Sequence, residues 1–504
     1  MVKTIAIVLD CGATKLSATA FDSKGSIIKR ISYANEPVAQ PGGEVDWRIW
    51  DLDQIWQKLS HACLQVCASI DRSRIKAVTV CTFGADGAPV RKDGTLTYPV
   101  ISWYDPRTRS LMKEIKELMH PWDIFVETGY QLIPFNTLLR LMWLRKHAPK
   151  ALNDAEHWMM MPSLLSFKLC RVFSIEPTAA GTMMAMEQGK RDWSEKMLTL
   201  AKLDPSFFPK WVEPGAIIGH VHSEASRQTG LPNGIPVVAT GHDTQFAAIG
   251  SGAQSGEAIL SSGTWEILML RINEFKPTRF GFDEGILIEN DAIAGFWNPQ
   301  LLMMASGVIE WVRRHFYADL TDLERAYAQM ITDGRKIGAG SAGVMVLPSF
   351  IADTGPMKKF GTWGTILGLN INTERGHLYR ATLEGLSFQL RHALSIIIQA
   401  TGVKVKGVRV VGGGSKNELW NQIRADVIGL PVTTIAQKEA TSLGAALFAF
   451  VGAGTFASIR EAQANVAFEE TVFEPSENRV IYEDLFAKYI QVPRALKGFY
   501  QPTV

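Results

Sequence analysis

A mixed α/β fold in two domains is what this chain predicts, and three observations predict it. Its 504 residues exceed what one hydrophobic core usually supports, so two domains of roughly 250 residues each are the natural division. Near the N-terminus three strand-like runs, a helix and a fourth strand follow one another, an order in which hairpins feed a crossover. From Glu257 onward a related hairpin pattern starts again.

Each element has its own signal. Ile5 to Leu9, Leu16 to Phe21 and Ile27 to Tyr33 are strand-like runs separated by turns at Gly12 and at Ser23-Lys24-Gly25, and two successive hairpins fit them. Leu52, Ile55, Trp56, Leu59, Cys63, Val66 and Ile70 recur at three-to-four spacing behind Asp51 and Asp53, the pattern of an amphipathic helix. Ile75 to Phe83 supplies a buried strand ending at Gly84-Ala85-Asp86-Gly87. Ala258 to Leu260, the turn Ser261-Ser262-Gly263-Thr264 and Glu266 to Ile272 read as a second copy of the first hairpin. Val408 to Val411 runs into Gly412-Gly413-Gly414-Ser415 and a helix from Asn417 through Ile428, stopped by Gly429-Leu430-Pro431. Gly250, Gly252 and Gly256 cluster where the pattern restarts, which puts the expected domains at 1–247 and 248–504.

Composition narrows the function classes. A hydrophobic share of 46% with 20% charged residues describes an ordinary globular chain. Lys+Arg 52 against Asp+Glu 50, with no basic block interleaved with aromatics, argues against a nucleic-acid partner. Cys11, Cys63, Cys67, Cys81 and Cys170 form no CxxC pair and are odd in number, so reduced thiols are expected rather than a disulfide or zinc framework. Cys63 and Cys67 lie one helical turn apart but have no third and fourth ligand nearby, and buried helix thiols are the expectation. No uninterrupted apolar span of 18 residues and no leading signal segment occur, so a cytoplasmic protein without a membrane anchor is expected.

Two acidic turns carry the chemistry. Leu9-Asp10-Cys11-Gly12-Ala13-Thr14 and Gly241-His242-Asp243-Thr244 each end an apolar run with a carboxylate, where open α/β sheets bind ligands and a divalent metal can be held. Together they point to a phosphoryl-transfer cleft. No GxxxxGK[ST] is present, so phosphates would rest on backbone N–H groups of Gly/Thr turns. Gly338 to Gly343 spells GxGxxG, but helix and loop precede it and a strand follows, the reverse of the required context. Local sequence leaves alternatives open: Asp10 as a turn cap or a Mg²⁺ ligand, Asp243 as a helix N-cap or a proton acceptor, His242 as a structural neighbour. Asp86, Trp103, Asp105 and Arg107 supply the acceptors, stacking face and guanidinium that grip polyols, or else Trp103 is core and Asp105-Pro106-Arg107 a surface turn.

These pieces resemble the FGGY carbohydrate kinase family. Gly364 to Leu369 followed by His377 to Glu384 is similar to that family's C-terminal signature. Phe135-Asn136-Thr137-Leu138-Leu139-Arg140-Leu141-Met142-Trp143 is similar to its N-terminal one, with Arg140 where the family usually has Lys. The resemblance spans nearly the whole chain and implies two actin-like, ribonuclease-H-like domains that close over a cleft, with sugar mostly on the first and ATP mostly on the second. It implies Asp10 in Mg²⁺ and phosphate binding, Gly12 and Thr14 in the first phosphate loop, and Gly263 and Thr264 at the γ-phosphate. Gly412, Gly413 and Gly414 would approach the nucleotide, with Asn417 and Gln422 lining the adenosine pocket. Asp243 would be the catalytic base at the sugar and metal, and Lys15 would replace the basic residue the family often has at Ser17. Asp86, Trp103 and Arg107 would hold the sugar.

Within the family, Thr82 to Ala88, Ile101 to Thr108, Gly241 to Ala247, Leu260 to Met269 and Val410 to Ile423 resemble members that act on L-fuculose. The implied reaction is transfer of the ATP γ-phosphate to the ketose 1-hydroxyl. L-rhamnulose, D-ribulose or D-xylulose are alternative acceptors, and an actin-like ATPase switch is an alternative of another class. A homodimer is a family-level expectation.

Overall fold

Every residue of Ile5–Leu9 is buried, as a strand covered on both faces requires. In the computed structural model, which describes residues 4–351, 355–356, 358–437 and 439–500, this run is β1 (Ile5–Cys11), followed by β2 (Lys15–Asp22) and β3 (Ile27–Ala34). Both pairings are antiparallel, giving the two expected hairpins. Helix α1 (Leu52–Ala68) comes next, its first turn closed by Asp51, whose carboxylate accepts from the Gln54 amide at 3.0 Å. The apolar stripe Leu52, Ile55, Trp56, Leu59, Cys63 and Val66 packs on Ile5, Ile7 and Leu9. Burying each large aliphatic side chain contributes about 1.5–3 kcal/mol, which decides the face the helix presents. Ile70 lies just past the helix end but still packs against this core.

The chain then crosses to β4 (Ile75–Thr82), parallel to β1. After α2 (Thr137–His147), β5 (Ile217–His220) and β6 (Pro236–Val238) complete a six-stranded sheet in the order β5-β6-β4-β1-β2-β3. Helix α3 (Asp243–Gly250) follows β6.

The second half repeats the plan. Strands β7 (Glu257–Ser262), β8 (Trp265–Met269), β9 (Leu287–Asn290) and β10 (Trp297–Met304) are followed by helices α4 (Ser306–Phe316) and α5 (Arg375–Thr401). Then come β11 (Gly407–Val411), α6 (Glu418–Ile428), β12 (Val432–Ile435), α7 (Ala440–Gly452) and β13 (Glu470–Phe473). The seven strands are ordered β9-β10-β8-β7-β11-β12-β13. Read outward from the central strand, β10-β8-β7-β11-β12 matches β3-β2-β1-β4-β6 in order and in antiparallel or parallel sense. The strand expected to reach Ile272 ends at Met269, and Ile272 keeps only an isolated bridge to Trp297.

The halves meet through the helices that end each unit. Phe246 and Ile249 of α3 and Leu443 and Leu447 of α7 share one core with Ala6, Val8 and Ala77 of the first sheet. Where the two helices cross, a Cβ on Gly250 would fall 1.9 Å from the Ala440 carbonyl oxygen, and one on Gly444 would fall 1.9 Å from that of Phe246. Backbone therefore packs on backbone, a contact only glycine permits. Phe125, from the first half, lies in the core of the second with Leu260, Ile286 and Ile288. Among the described residues, no helix is long and apolar enough to cross a membrane, and all five cysteines are buried and unpaired.

Candidate active site

The C-terminal ends of β1, β4 and β6 converge. Phe83 N donates to Cys11 O at 3.2 Å and Thr82 N to Gly241 O at 3.0 Å, so Asp10, the Gly84–Asp86 loop and the His242-Asp243 pair share one edge of the first sheet. Open sheets place ligands at this edge. The β1–β2 turn is closed by Gly12 N donating to Lys15 O at 2.9 Å and braced by Asn35, whose amide donates to Gly12 O at 2.9 Å. Thr14 and Lys15 are exposed, while Ser17, opposite Asp10, is buried with its hydroxyl unbonded among the described residues.

Asp10 Oδ2 accepts from the Ser442 hydroxyl of α7 at 3.0 Å. Burial, and behind it the Asp243 carboxylate, pushes Asp10 up to about 7 against that hydroxyl's pull. Asp243 occupies the first position of α3, His242 being the cap, and its Oδ1 accepts from Thr244 N at 2.7 Å. Burial raises this carboxylate too, while His242 opposes the rise. Burial pulls the His242 imidazole down, but Glu289, followed by Asp243 and Glu176, outweighs it and lifts the ring to about 9. Burial would lift Glu289 in turn, yet His242 holds it below the usual carboxylate range.

Asp86 lies wholly buried beside these groups. Its Oδ2 accepts from Trp50 Nε1 at 2.5 Å and Trp103 N at 3.1 Å, and Oδ1 stands 2.6 Å from Arg140 Nη1. Burial raises its pKa in spite of Arg140 and Trp50. Arg140 Nη1 and the Thr137 hydroxyl, on α2, both donate to Ala85 O, while Arg140 Nη2 is buried with no hydrogen-bond partner among the described residues. Trp103 is half-buried, stacked on Tyr104 at 3.8 Å and edge-on to Phe135 at 6.0 Å.

Arg107, expected to grip the sugar, is bonded and stacked against protein groups. Its Nε and Nη2 donate to Asp105 at 2.7 Å each, Nη1 to Tyr98 at 3.1 Å and Nη2 to Gln40 at 2.8 Å, and the guanidinium lies 4.0 Å over Trp47. A buried cation needs its donors answered, and these partners take four of its five N–H groups. Asp105 is likewise buried rather than part of a surface turn.

In the second half, Gly263 N donates to Trp265 O at 2.9 Å, while the start of α4 holds this turn through amides of Ala305 and Gly307 on Thr264 O. Thr264 is exposed. The glycine run lies directly against it: a Cβ on Gly412 would come 2.6 Å from Ser262 O and one on Gly414 2.0 Å from Ser262 Oγ, whereas a Cβ on Gly413 would meet nothing within 4 Å. Below, Arg424 is stacked 3.5 Å over Trp420, donates to Ser262 Oγ at 2.9 Å and is paired with Glu266. Asn417 caps α6 through Trp420 N at 3.2 Å and donates to Tyr379 at 2.8 Å, so both ends of its amide are engaged. Gln422 turns to Asp426 and Glu474 instead.

The glycine motif at 338–343 follows a helix and leads into a strand, Met345–Leu347, as its sequence context required. Glu384 accepts from Gly340 N at 2.9 Å and the Ser341 hydroxyl at 2.8 Å. Sequence reasoning passed over Glu289, Ser442, Trp50 and Glu176, and it named Arg140 without a partner. Only Arg140 carried a signal, as the lone basic residue inside the apolar 138–144 run.

The model of the FGGY family of carbohydrate kinases, N-terminal domain, matches residues 5–250, and that of its C-terminal domain matches 258–453. The L-fuculokinase of Salmonella typhi is 38% identical over 483 residues, covering 96% of this chain and 100% of that protein. The autoinducer-2 kinase of Yersinia enterocolitica is 27% identical over 499 residues, covering 94% and 91%. The crystal structure of ligand-bound xylulose kinase from Lactobacillus acidophilus superposes with a TM-score of 0.88 at 20% identity, covering 98% of each chain, a likeness of fold.

Proposed function

Because this chain belongs to the FGGY family of carbohydrate kinases, and is an ATP-dependent sugar kinase, we propose that it transfers the γ-phosphoryl group of ATP to the 1-hydroxyl of L-fuculose. The observation that carries the choice of sugar is the 38% identity to an L-fuculokinase across that protein's whole length, against 27% to a kinase of another substrate. The domain division at 247/248 and a cytoplasmic location belong to the same proposal.

Asp243 is the base in this reading. The sugar hydroxyl oxygen forms a bond to the γ-phosphorus as the bond from that phosphorus to the β,γ-bridging oxygen breaks. The hydroxyl proton passes to Asp243, and the electron pair leaves with ADP. The upward push on Asp243 suits an acceptor, and its place at the start of α3 sets it beside the Asp86 loop. Asp86 Oδ1 and the unanswered Arg140 Nη2 supply an acceptor and a donor for sugar hydroxyls. Trp103 offers an apolar face. Thr14, Thr264 and the open Gly413 would receive phosphate oxygens on hydroxyl and backbone N–H groups, while Gly12 and Gly263, whose N–H groups close their own turns, would let a phosphate come close to the backbone.

Asp10 and Asp243 fit a Mg²⁺ ion. Both carboxylates are pushed up by burial, and the charge of Asp243 adds to the push on Asp10, a strain that a cation between the phosphates and these acids would relieve. Mg²⁺ is commonly held by one or two carboxylates together with substrate phosphates. When bound, it would neutralise charge on the phosphates; these two side chains would hold it.

ADP release measured with Mg-ATP against L-fuculose, L-rhamnulose, D-ribulose, D-xylulose and glycerol, with a no-sugar control, tests the assignment. The highest kcat/KM is expected for L-fuculose. A higher value for another ketose would replace the substrate, and sugar-independent release would favour an ATPase switch.

A further inference from the structure

The base reading leaves one buried acid without a task. Glu289 sits on β9, the edge strand of the second sheet, and is 4% exposed. Its side-chain partners nevertheless come from the first sheet's side of the molecule. The Tyr130 hydroxyl donates to Oε1, Gln245 Nε2 donates to Oε2 at 2.6 Å, and His242 Nδ1 lies 3.2 Å from Oε2, a charge pair without hydrogen-bond alignment. The line continues through the imidazole, whose Nε2 is 3.4 Å from Asp243 Oδ1.

The ring's seat is built. A Cβ on Gly84 would stand 3.1 Å from both Cδ2 and Nε2 of His242, so the glycine of the Asp86 loop makes room for it. The His242 amide donates to Thr178 Oγ1 at 2.9 Å, and that hydroxyl donates to Glu176 at 2.7 Å. The β9 strand is fixed against the first half as well: Ile288 N donates to Gly129 O at 2.8 Å and Asn290 Nδ2 to Gln188 at 3.0 Å. A carboxylate on one ring nitrogen sets the plane of an imidazole and what its other nitrogen presents.

We infer that Glu289 is a positioning residue for phosphoryl transfer: acting through the His242 ring, it holds the Asp243 carboxylate in the orientation that receives the sugar proton. The alignment of the base thereby depends on the seating of β9 against the first half. This rests on the reading of Asp243 as the base. A bland strut is the competing role, in which Glu289 only joins the two halves.

The test is steady-state kinetics of the full chain carrying Glu289→Gln, His242→Gln, both together, and Asp243→Asn, with L-fuculose binding followed by calorimetry and unfolding by thermal melting. Glu289→Gln is expected to lower kcat by about tenfold or more, short of the 10²–10⁴ a general base supplies. KM for sugar and ATP should stay within about threefold, because the contact is made to the base and not to either substrate. The double variant should be no slower than the slower single one, since the two residues act as a unit. Unchanged kcat with a lowered melting temperature, or raised KM values alone, would reduce Glu289 to a strut and overturn the inference. If Asp243→Asn retains turnover, the base reading itself is what fails. Should Glu289→Gln not fold, His242→Gln, which leaves the Tyr130 and Gln245 bonds in place, is expected to show the same fall in kcat; wild-type kcat there would overturn the inference.

Discussion

The hairpin turns of the two halves have the same backbone plan and opposite electrostatics. In β1–β2 the acid Asp10 stands one pair before the end of the ladder, where burial and a second acid push it up to about 7 against the pull of one bonded hydroxyl. In β7–β8 the matching positions are Ser261 and Ser262, and the buried acid of that hairpin, Glu266, is paired with Arg424. One turn keeps its carboxylate against another acid. The other is finished internally and serves as a rigid floor for the glycine run. A duplicated fold thus separates a charge-handling turn from a scaffold turn by changing a few side chains.

The comparison can be broken at either end. Asp243→Asn should show the largest effect, a fall in kcat of about 10²–10⁴ with sugar binding and melting temperature close to wild type. Loss of binding instead would move Asp243 from the chemistry to the pocket. Arg424→Met comes next: it leaves Glu266 buried without its cation, so a destabilisation of about 3–5 kcal/mol is expected in a denaturant titration. Unchanged stability would end the view of this turn as a scaffold.

Asp10→Asn should act in the other direction. The folded chain keeps a proton on Asp10 up to about 7, whereas an unperturbed Asp releases it near 3.8. Over that window the native state binds the extra proton, so this group erodes stability as pH rises, by at most about 4 kcal/mol and less where solvent screens it. The Asn variant should lose this pH slope, and Mg²⁺ should reduce it in the wild type only; melting curves from pH 4 to 8 read both. Smallest is a pair at the glycine run. Gly414→Ala, forced against Ser262, should cost about 1–3 kcal/mol and raise KM for ATP, while Gly413→Ala, with open space around it, should leave stability nearly unchanged.

Much of the frame was legible in the sequence, because strands and helices are written in local periodicity. The β1–β3 hairpins, the α1 stripe and the restart at Glu257 all follow from spacing of apolar residues. The two acidic turns were legible too, as carboxylates ending apolar runs. What local pattern does not encode is which distant group answers each charge. Ser442 reaches Asp10 from the far end of the chain, and Glu289 reaches His242 from an edge strand whose pattern is ordinary. Arg107 shows the same lesson in reverse. An acid, aromatics and a guanidinium can build a polyol pocket or a packed cation, and it is Gln40, Trp47 and Tyr98, from other segments, that surround the guanidinium here.

The most direct test of the account is the identity of the product. Purified protein with Mg-ATP and L-fuculose, followed by proton and phosphorus NMR, should yield one mole of ADP for each mole of a sugar phosphate whose phosphorus couples to the protons on C1. ADP without a sugar phosphate, or phosphate on any other hydroxyl, would contradict it.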